Sequence, residues 1–183
     1  MINVPNAITL VRFALVPVIA HRLWVGDDEI AFWLFAVSAV SDLADGQIAR
    51  RWNLHTRFGA VADPLADKLT MLPVAVVLTL QGTLPWWFTA VVVGRDVLIV
   101  GGALAYHWTV GPVEMAPTLV SKINTALQFL LISCVLAIRA EYVAAGLWWD
   151  VLLGTTLATM LLSGVQYVLE WSRRAAQARR AAA

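Results

Sequence analysis

Charge is scarce in this chain. Only 14% of its 183 residues are Asp, Glu, Lys or Arg, against 60% hydrophobic residues and a mean hydropathy of +0.74. A soluble domain of this length does not carry so much apolar residue, so an aqueous globule is excluded. Cysteine is almost missing: Cys134 stands alone within an apolar run, which excludes a disulfide framework. Of the three histidines, His55 and His107 offer no metal-ligand spacing. A net charge of +1 says nothing about nucleic acid, and no nucleic-acid partner is expected. No short apolar stretch with a cleavage site opens the chain, so the first helix is expected to be retained.

What is present is hydrophobic length. About six apolar runs of roughly 18–24 residues are each long enough to cross a ~30 Å hydrocarbon core. Tryptophans gather at run ends, at Trp24, Trp86, Trp87, Trp148, Trp149 and Trp171, as interfacial aromatic belts do. The expected fold is an all-α integral membrane protein of six transmembrane helices, a single domain over residues 1–183. Its helices are placed at about Ala7–Trp24, Ile30–Arg50, Gly59–Leu80, Trp86–Tyr106, Thr118–Ile138 and Leu147–Trp171. A lead-in over residues 1–6 ends around Pro5, His55 and His107 fall in loops, and residues 172–183 form a basic tail.

Lysine and arginine set the orientation. With both termini cytoplasmic, that side holds Arg12, Arg50, Arg51, Arg57, Lys68, Lys122, Arg173, Arg174, Arg179 and Arg180. The other side keeps Arg22 and Arg139, beside Asp27, Asp28, Glu29, Glu141 and Asp150. This is a strong positive-inside bias. The ends of helices two and three therefore face the cytoplasm, and the membrane expected is a bacterial inner (cytoplasmic) one.

Those ends carry the anomaly. Asp42, Asp45, Asp63 and Asp67 stand where two apolar segments join. A carboxylate near hydrocarbon costs several kcal/mol unless paired, hydrated or metal-bound. Asp42 and Asp45 are i, i+3, and Asp63 and Asp67 are i, i+4, so each pair shares a helix face. In consecutive antiparallel helices the four converge. Four negative charges that close require a cation. Oxygen-only ligands select a hard ion, Mg2+ or Mn2+, with Ca2+ a weaker candidate; no histidine or cysteine stands near enough to suggest zinc.

Spacing makes the stretch specific. Residues 42–67 read D-x2-D-G-x2-A-R-x8-G-x3-D-x3-D, carried by Asp42, Asp45, Gly46, Ala49, Arg50, Gly59, Asp63 and Asp67. The pattern resembles the CDP-alcohol phosphotransferase family of six-helix membrane enzymes. The resemblance implies a cytidine diphosphate-linked donor, commonly CDP-diacylglycerol, that loses CMP to an alcohol acceptor, either a lipid or a polyol phosphate. It implies a pair of metal ions at the four aspartates, with Asp67 also the general base. It allows a homodimer.

The residues themselves support that chemistry. Gly46 and Ala49 lack bulk beside the carboxylates, and Gly59 does likewise opposite them, so a nucleotide can approach the backbone. Arg50 can fork onto phosphate. Asn6, Thr9 and Arg12 lie along one side of helix one and can reach the donor; an ordinary cap and a topology arginine explain them nearly as well.

Arg95 and Asp96 in mid-helix four are the second anomaly. They read either as an internal ion pair or, through Arg95, as a ligand for an acceptor phosphate. Lys122, with Ser121 and Asn124, can close that pocket or merely snorkel. The amino-terminal N-V-P-N-A-I-T-L-V-R and D-P-L-A-D-K resemble two branches, the phosphatidylglycerophosphate synthases and the eukaryotic-type cardiolipin synthases. G-R-D-V-L-I at 94–99 and P-T-L-V-S-K-I-N-T-A-L-Q at 117–128 lean toward cardiolipin synthase, with phosphatidylglycerol as acceptor. Glycerol 3-phosphate is the alternative. A metal-dependent transporter is the distant rival; it would want charges at the midplane and paired broken helices.

Overall fold

The structure is a computed structural model that describes residues 4–51, 71–109 and 118–182. Among them are six helices and no strand: α1 Val4–Trp24, α2 Asp28–Arg51, α3 Met71–Leu80, α4 Trp86–Thr109, α5 Leu119–Arg139 and α6 Leu147–Ala182. Three stretches, Trp86–Leu104, Leu119–Arg139 and Leu147–Arg174, are long and apolar enough to cross a membrane. The all-α architecture expected from the hydrophobic runs is therefore found.

Three details differ from the sequence expectations. The lead-in is already helical from Val4, with Pro5 in the first turn of α1, where its missing N–H breaks no intrahelical bond. His107 belongs to α4, which runs on to Thr109, rather than to a loop. The basic tail continues α6 to Ala182, because alanine, arginine and glutamine are strong helix formers and no glycine or proline interrupts them. His55 lies outside the described residues.

Packing divides the chain into two compact units. The first comprises residues 1–85 and 132–145, the second 86–131 and 146–183. In the first unit α1 packs along α2. Its core is built from Ile19, Leu23, Phe35, Val74 and Leu78, joined by Val135 and Leu136 from the last turns of α5. In the second, α4 packs along α6, with Phe88, Leu131 and Met160 buried.

The first unit is tied together at one end. Three helices there finish in the same hydrogen-bond pattern, in which a left-handed residue lets two amides return to the last turn. Gly26 (φ +85°) closes α1 and Gly82 (φ +74°) closes α3. Asp27 N–H bonds Arg22 O at 2.9 Å, and Thr83 N–H bonds Leu78 O at 2.9 Å. At the end of α5, Glu141 takes the same role at φ 60°, with Tyr142 N–H on Ala137 O at 3.0 Å.

Arg139 joins these ends. It forks onto Asp28 in the first turn of α2, with Nε donating to Oδ1 at 2.8 Å and Nη2 to Oδ2 at 3.1 Å. Its Nη1 donates to Gln81 Oε1 at 2.6 Å and Thr83 Oγ1 at 3.0 Å, and Gln81 Nε2 donates in turn to Leu23 O at 2.7 Å. One guanidinium thereby links the starts or ends of four helices. Beside it, the Tyr142 hydroxyl donates to Glu29 at 2.8 Å, and this bond holds the phenol above its ordinary range.

The Arg139 and Asp28 side chains are 17% and 21% exposed, so loss of one partner strands the other in a largely dry site. Arg139→Ala is expected to cost about 2–3 kcal/mol, which should lower the melting temperature in detergent by roughly 5–10 °C. Arg139→Lys should recover only part of that, because an ammonium cannot reproduce the fork. An unchanged melting temperature in Arg139→Ala would remove this clasp from the account of stability.

Candidate functional site

The aspartate stretch begins on α2. This helix stays regular to Arg51, so Asp42, Asp45, Gly46 and Ala49 stand at i, i+3, i+4 and i+7, one face of its last three turns. Two carboxylates and two small residues therefore share a stripe, as their spacing predicts. Arg50 follows on the neighbouring face. The side chains of these five residues, and Gly59, Asp63 and Asp67 altogether, lie outside the described residues. So do the side chains of Asn6, Thr9 and Arg12, although α1 carries all three on its first turns. Among the described residues no group of three or more His, Cys, Asp or Glu side chains is arranged to hold a metal.

The second anomaly is described in full, within the second unit. Arg95 is only 9% exposed. Its Nη1 donates to Asp96 Oδ1 at 2.9 Å, so the internal ion pair exists. Asp96 alone does not account for it. Nη2 also donates to Ser121 Oγ on α5 at 2.6 Å and to Ser163 Oγ on α6 at 3.1 Å. The Nε–H is buried without an acceptor. Three helices thus meet on one cation that still has a donor to spare.

The polar face continues along α5 and α6. Asn124 is fully buried; its Oδ1 accepts from Thr159 Oγ1 at 3.3 Å, and its Nδ2 has no partner. Ser121 and Asn124 are three residues apart on α5, and Ser163 and Thr159 four apart on α6, so the two rungs stack. Buried hydroxyls and amides at membrane depth commonly join helices this way. Lys122, one residue past Ser121, is exposed, so α5 turns Ser121 and not Lys122 toward Arg95.

Two cavities flank this cluster. One of about 470 Å³ lies between the start of α5 and the end of α6, lined by Thr118, Leu119, Tyr167, Trp171, Arg173 and Arg174 among others. A second, of about 420 Å³, lies between α4 and α6 and is apolar apart from Arg95, with Gly94, Leu98, Met160, Gly164 and Val165 in its wall. Added side-chain carbons at Gly94 or Gly164 would meet nothing within 4 Å, so both glycines face open space.

Sequence reasoning missed Ser163. A single serine in the apolar run of α6 carries no motif, and only its burial beside an intramembrane arginine marks it. It missed the clasp of Arg139 as well, reading that residue only as a topology charge beside acidic residues on the far side of the membrane.

Comparison with known proteins agrees with the aspartate stripe. Residues 2–165 match the model of the CDP-alcohol phosphatidyltransferase family. The chain is 34% identical over 186 residues to a probable cardiolipin synthase (CMP-forming) of Drosophila melanogaster, an alignment that covers 90% of this chain and 57% of that protein. It is 29% identical over 181 residues to the human cardiolipin synthase (CMP-forming), covering 90% and 60%. It is 35% identical over 151 residues to the CDP-diacylglycerol–glycerol-3-phosphate 3-phosphatidyltransferase of Bacillus subtilis, covering 74% and 77%. The chain thus spans about six-tenths of the length of the two cardiolipin synthases. An intact motif whose first half lies on a regular helix, and a family match across most of the length, place the chain in the CDP-alcohol phosphatidyltransferase family.

Proposed function

We propose that this chain is a CDP-diacylglycerol-dependent phosphatidyltransferase that uses phosphatidylglycerol as acceptor and forms cardiolipin with release of CMP. The observation that carries the reading is the stripe Asp42, Asp45, Gly46 and Ala49 on the last turns of α2, the first half of a motif whose eight fixed residues are all present. The whole chain is read as one domain in a bacterial inner membrane, with residues 172–183 as its basic end, the aspartates facing the cytoplasm and a homodimer as the assembly.

In the reaction the acceptor hydroxyl attacks the phosphatidyl phosphorus of CDP-diacylglycerol. A new P–O bond forms, the bond to CMP breaks, and the hydroxyl proton leaves to a base. Asp67 is that base. Gly46, Ala49 and Gly59 leave room for the cytidine diphosphate against the backbone. Arg50 forks onto phosphate, and Asn6, Thr9 and Arg12 reach the nucleotide from α1. Arg95 holds the acceptor phosphate.

The family uses divalent ions, and the donor set fits one. Asp42 and Asp45 share a face of a regular helix and offer oxygen ligands only, the chemistry that Mg2+ and Mn2+ select. Asp42, Asp45, Asp63 and Asp67 would hold two such ions. When bound, they supply positive charge to the diphosphate and to the departing CMP. Asp67 is then a weak base unless its carboxylate is bound loosely or its pKa is raised by its neighbours.

Glycerol 3-phosphate is the second reading, favoured by the Bacillus subtilis relative, of which the chain covers the larger share. Purified protein with CDP-diacylglycerol and Mg2+ or Mn2+, offered each acceptor in turn, decides between them. Cardiolipin from phosphatidylglycerol alone supports the proposal. Phosphatidylglycerophosphate from glycerol 3-phosphate alone replaces it.

Asp42→Asn, Asp45→Asn and Asp63→Asn should each reduce turnover at least ~100-fold by removing a metal ligand. Asp67→Asn should lower turnover as far while sparing CDP-diacylglycerol binding; equal loss of both would sink the base assignment. Excess chelator should silence the enzyme and Mg2+ or Mn2+ restore it. Arg95→Ala should raise the acceptor KM about 10- to 100-fold with little change in the donor KM.

A further inference from the structure

The contacts around Arg95 do more than neutralise it. A guanidinium offers five N–H donors in one rigid plane. Asp96 takes one from Nη1, while Ser121 and Ser163 take one each from Nη2. The two serines are 7% and 0% exposed, so no bulk water competes for these bonds. An arginine held at Nη1 and Nη2 by three groups, from its own helix and two others, has almost no freedom to swing. Two donors remain: Nε–H, which is buried and unused, and the second N–H of Nη1.

The serines have donors to spare as well. A hydroxyl that accepts from an N–H keeps its own proton for another acceptor. Hydroxyls on membrane helices commonly return that proton to a carbonyl one turn back, as Thr125, Thr155 and Ser172 do here. Ser163 makes no such bond among the described residues. Buried donors and acceptors normally balance. Around Arg95 donors are in excess, and an excess of donors on a cation is the chemistry of an anion site.

We propose that Ser163, together with Ser121, is a positioning residue for acceptor binding: the two hydroxyls fix the plane of the Arg95 guanidinium so that its free N–H meets an anionic phosphate-type oxygen of the acceptor. This rests on the reading of Arg95 as an acceptor ligand. Serine suits the task because its short side chain fits between helices and presents one oxygen without a competing charge. A carboxylate in its place would spend the arginine on a salt bridge.

The test is steady-state kinetics of the full-length protein in detergent, with KM measured separately for phosphatidylglycerol and CDP-diacylglycerol. Ser163→Ala and Ser121→Ala should each raise the acceptor KM, and the double variant should raise it about tenfold or more, the scale of a lost hydrogen bond to a charged group. The donor KM and kcat should stay within about twofold, a split that a general packing defect does not give. Ser163→Thr keeps the hydroxyl and should return the acceptor KM to near the native value.

An unchanged acceptor KM in the double variant overturns the proposal, as does a parallel rise in both KM values that threonine fails to rescue. Should the double variant not fold, judged by its melting temperature, the single Ser163→Ala decides in the same way. Arg95→Ala separates the two levels. If it leaves the acceptor KM at the native value, the reading of Arg95 itself fails. If it raises that KM while the serine variants do not, the positioning role alone falls.

Discussion

A charge in hydrocarbon has to be matched, and much of this structure follows from that constraint. Arg95 sits in the middle of a helix of membrane-spanning length, where an unpaired cation costs several kcal/mol. Its neighbours answer that cost with one carboxylate and two hydroxyls from three helices. The arrangement draws α4, α5 and α6 of the second unit to a common point. The apolar packing of Phe88, Leu131 and Met160 has no directional preference of its own, since lipid tails are as apolar as a leucine side chain. Polar contacts are therefore what fixes the register of these helices.

The first unit meets the same constraint at a helix end. Arg139 lies at the last residue of α5, and four of its five donors go to Asp28, Gln81 and Thr83. The clasp holds the amino-terminal turn of α2. The aspartate stripe occupies the carboxy-terminal turns of that same helix. A helix fixed firmly at one end can present carboxylates at the other with little cost in ordering when charge gathers there. Catalysis by positioned charge depends on such preorganisation.

Family membership gives the chemistry its frame, and the residues give it content. Four carboxylates suit a hard cation and a diphosphate. A buried arginine with spare donors suits a second anion. A transferase that moves a phosphatidyl group from a nucleotide-linked lipid to a phosphate-bearing alcohol, releasing the nucleotide, needs both kinds of site. A transporter would have no use for the stripe of small residues beside the carboxylates, which lets a nucleotide approach the backbone.

The sequence by itself determined the helices and half of the aspartate stripe. Apolar runs longer than a bilayer is thick can satisfy their backbone only as helices, so α2 and α5 were legible to within two residues at both ends, as were the end of α3 and the starts of α4 and α6, while α4 ran three residues past Tyr106. The other departures lay where no hydrophobic signal operates: in the first turn around Pro5 and in the alanine- and arginine-rich end of α6. Asp42, Asp45, Gly46 and Ala49 share a face through local spacing alone, and helical periodicity makes that readable. Only the tertiary structure decided which distant groups meet. Arg139 and Asp28 are 111 residues apart in the chain, and Arg95 and Ser163 are 68 apart. Their pairing depends on how whole helices pack, and spacing along the chain carries no record of it. Ser163 is one small polar residue in an apolar run until α4 and α5 bring a cation to it.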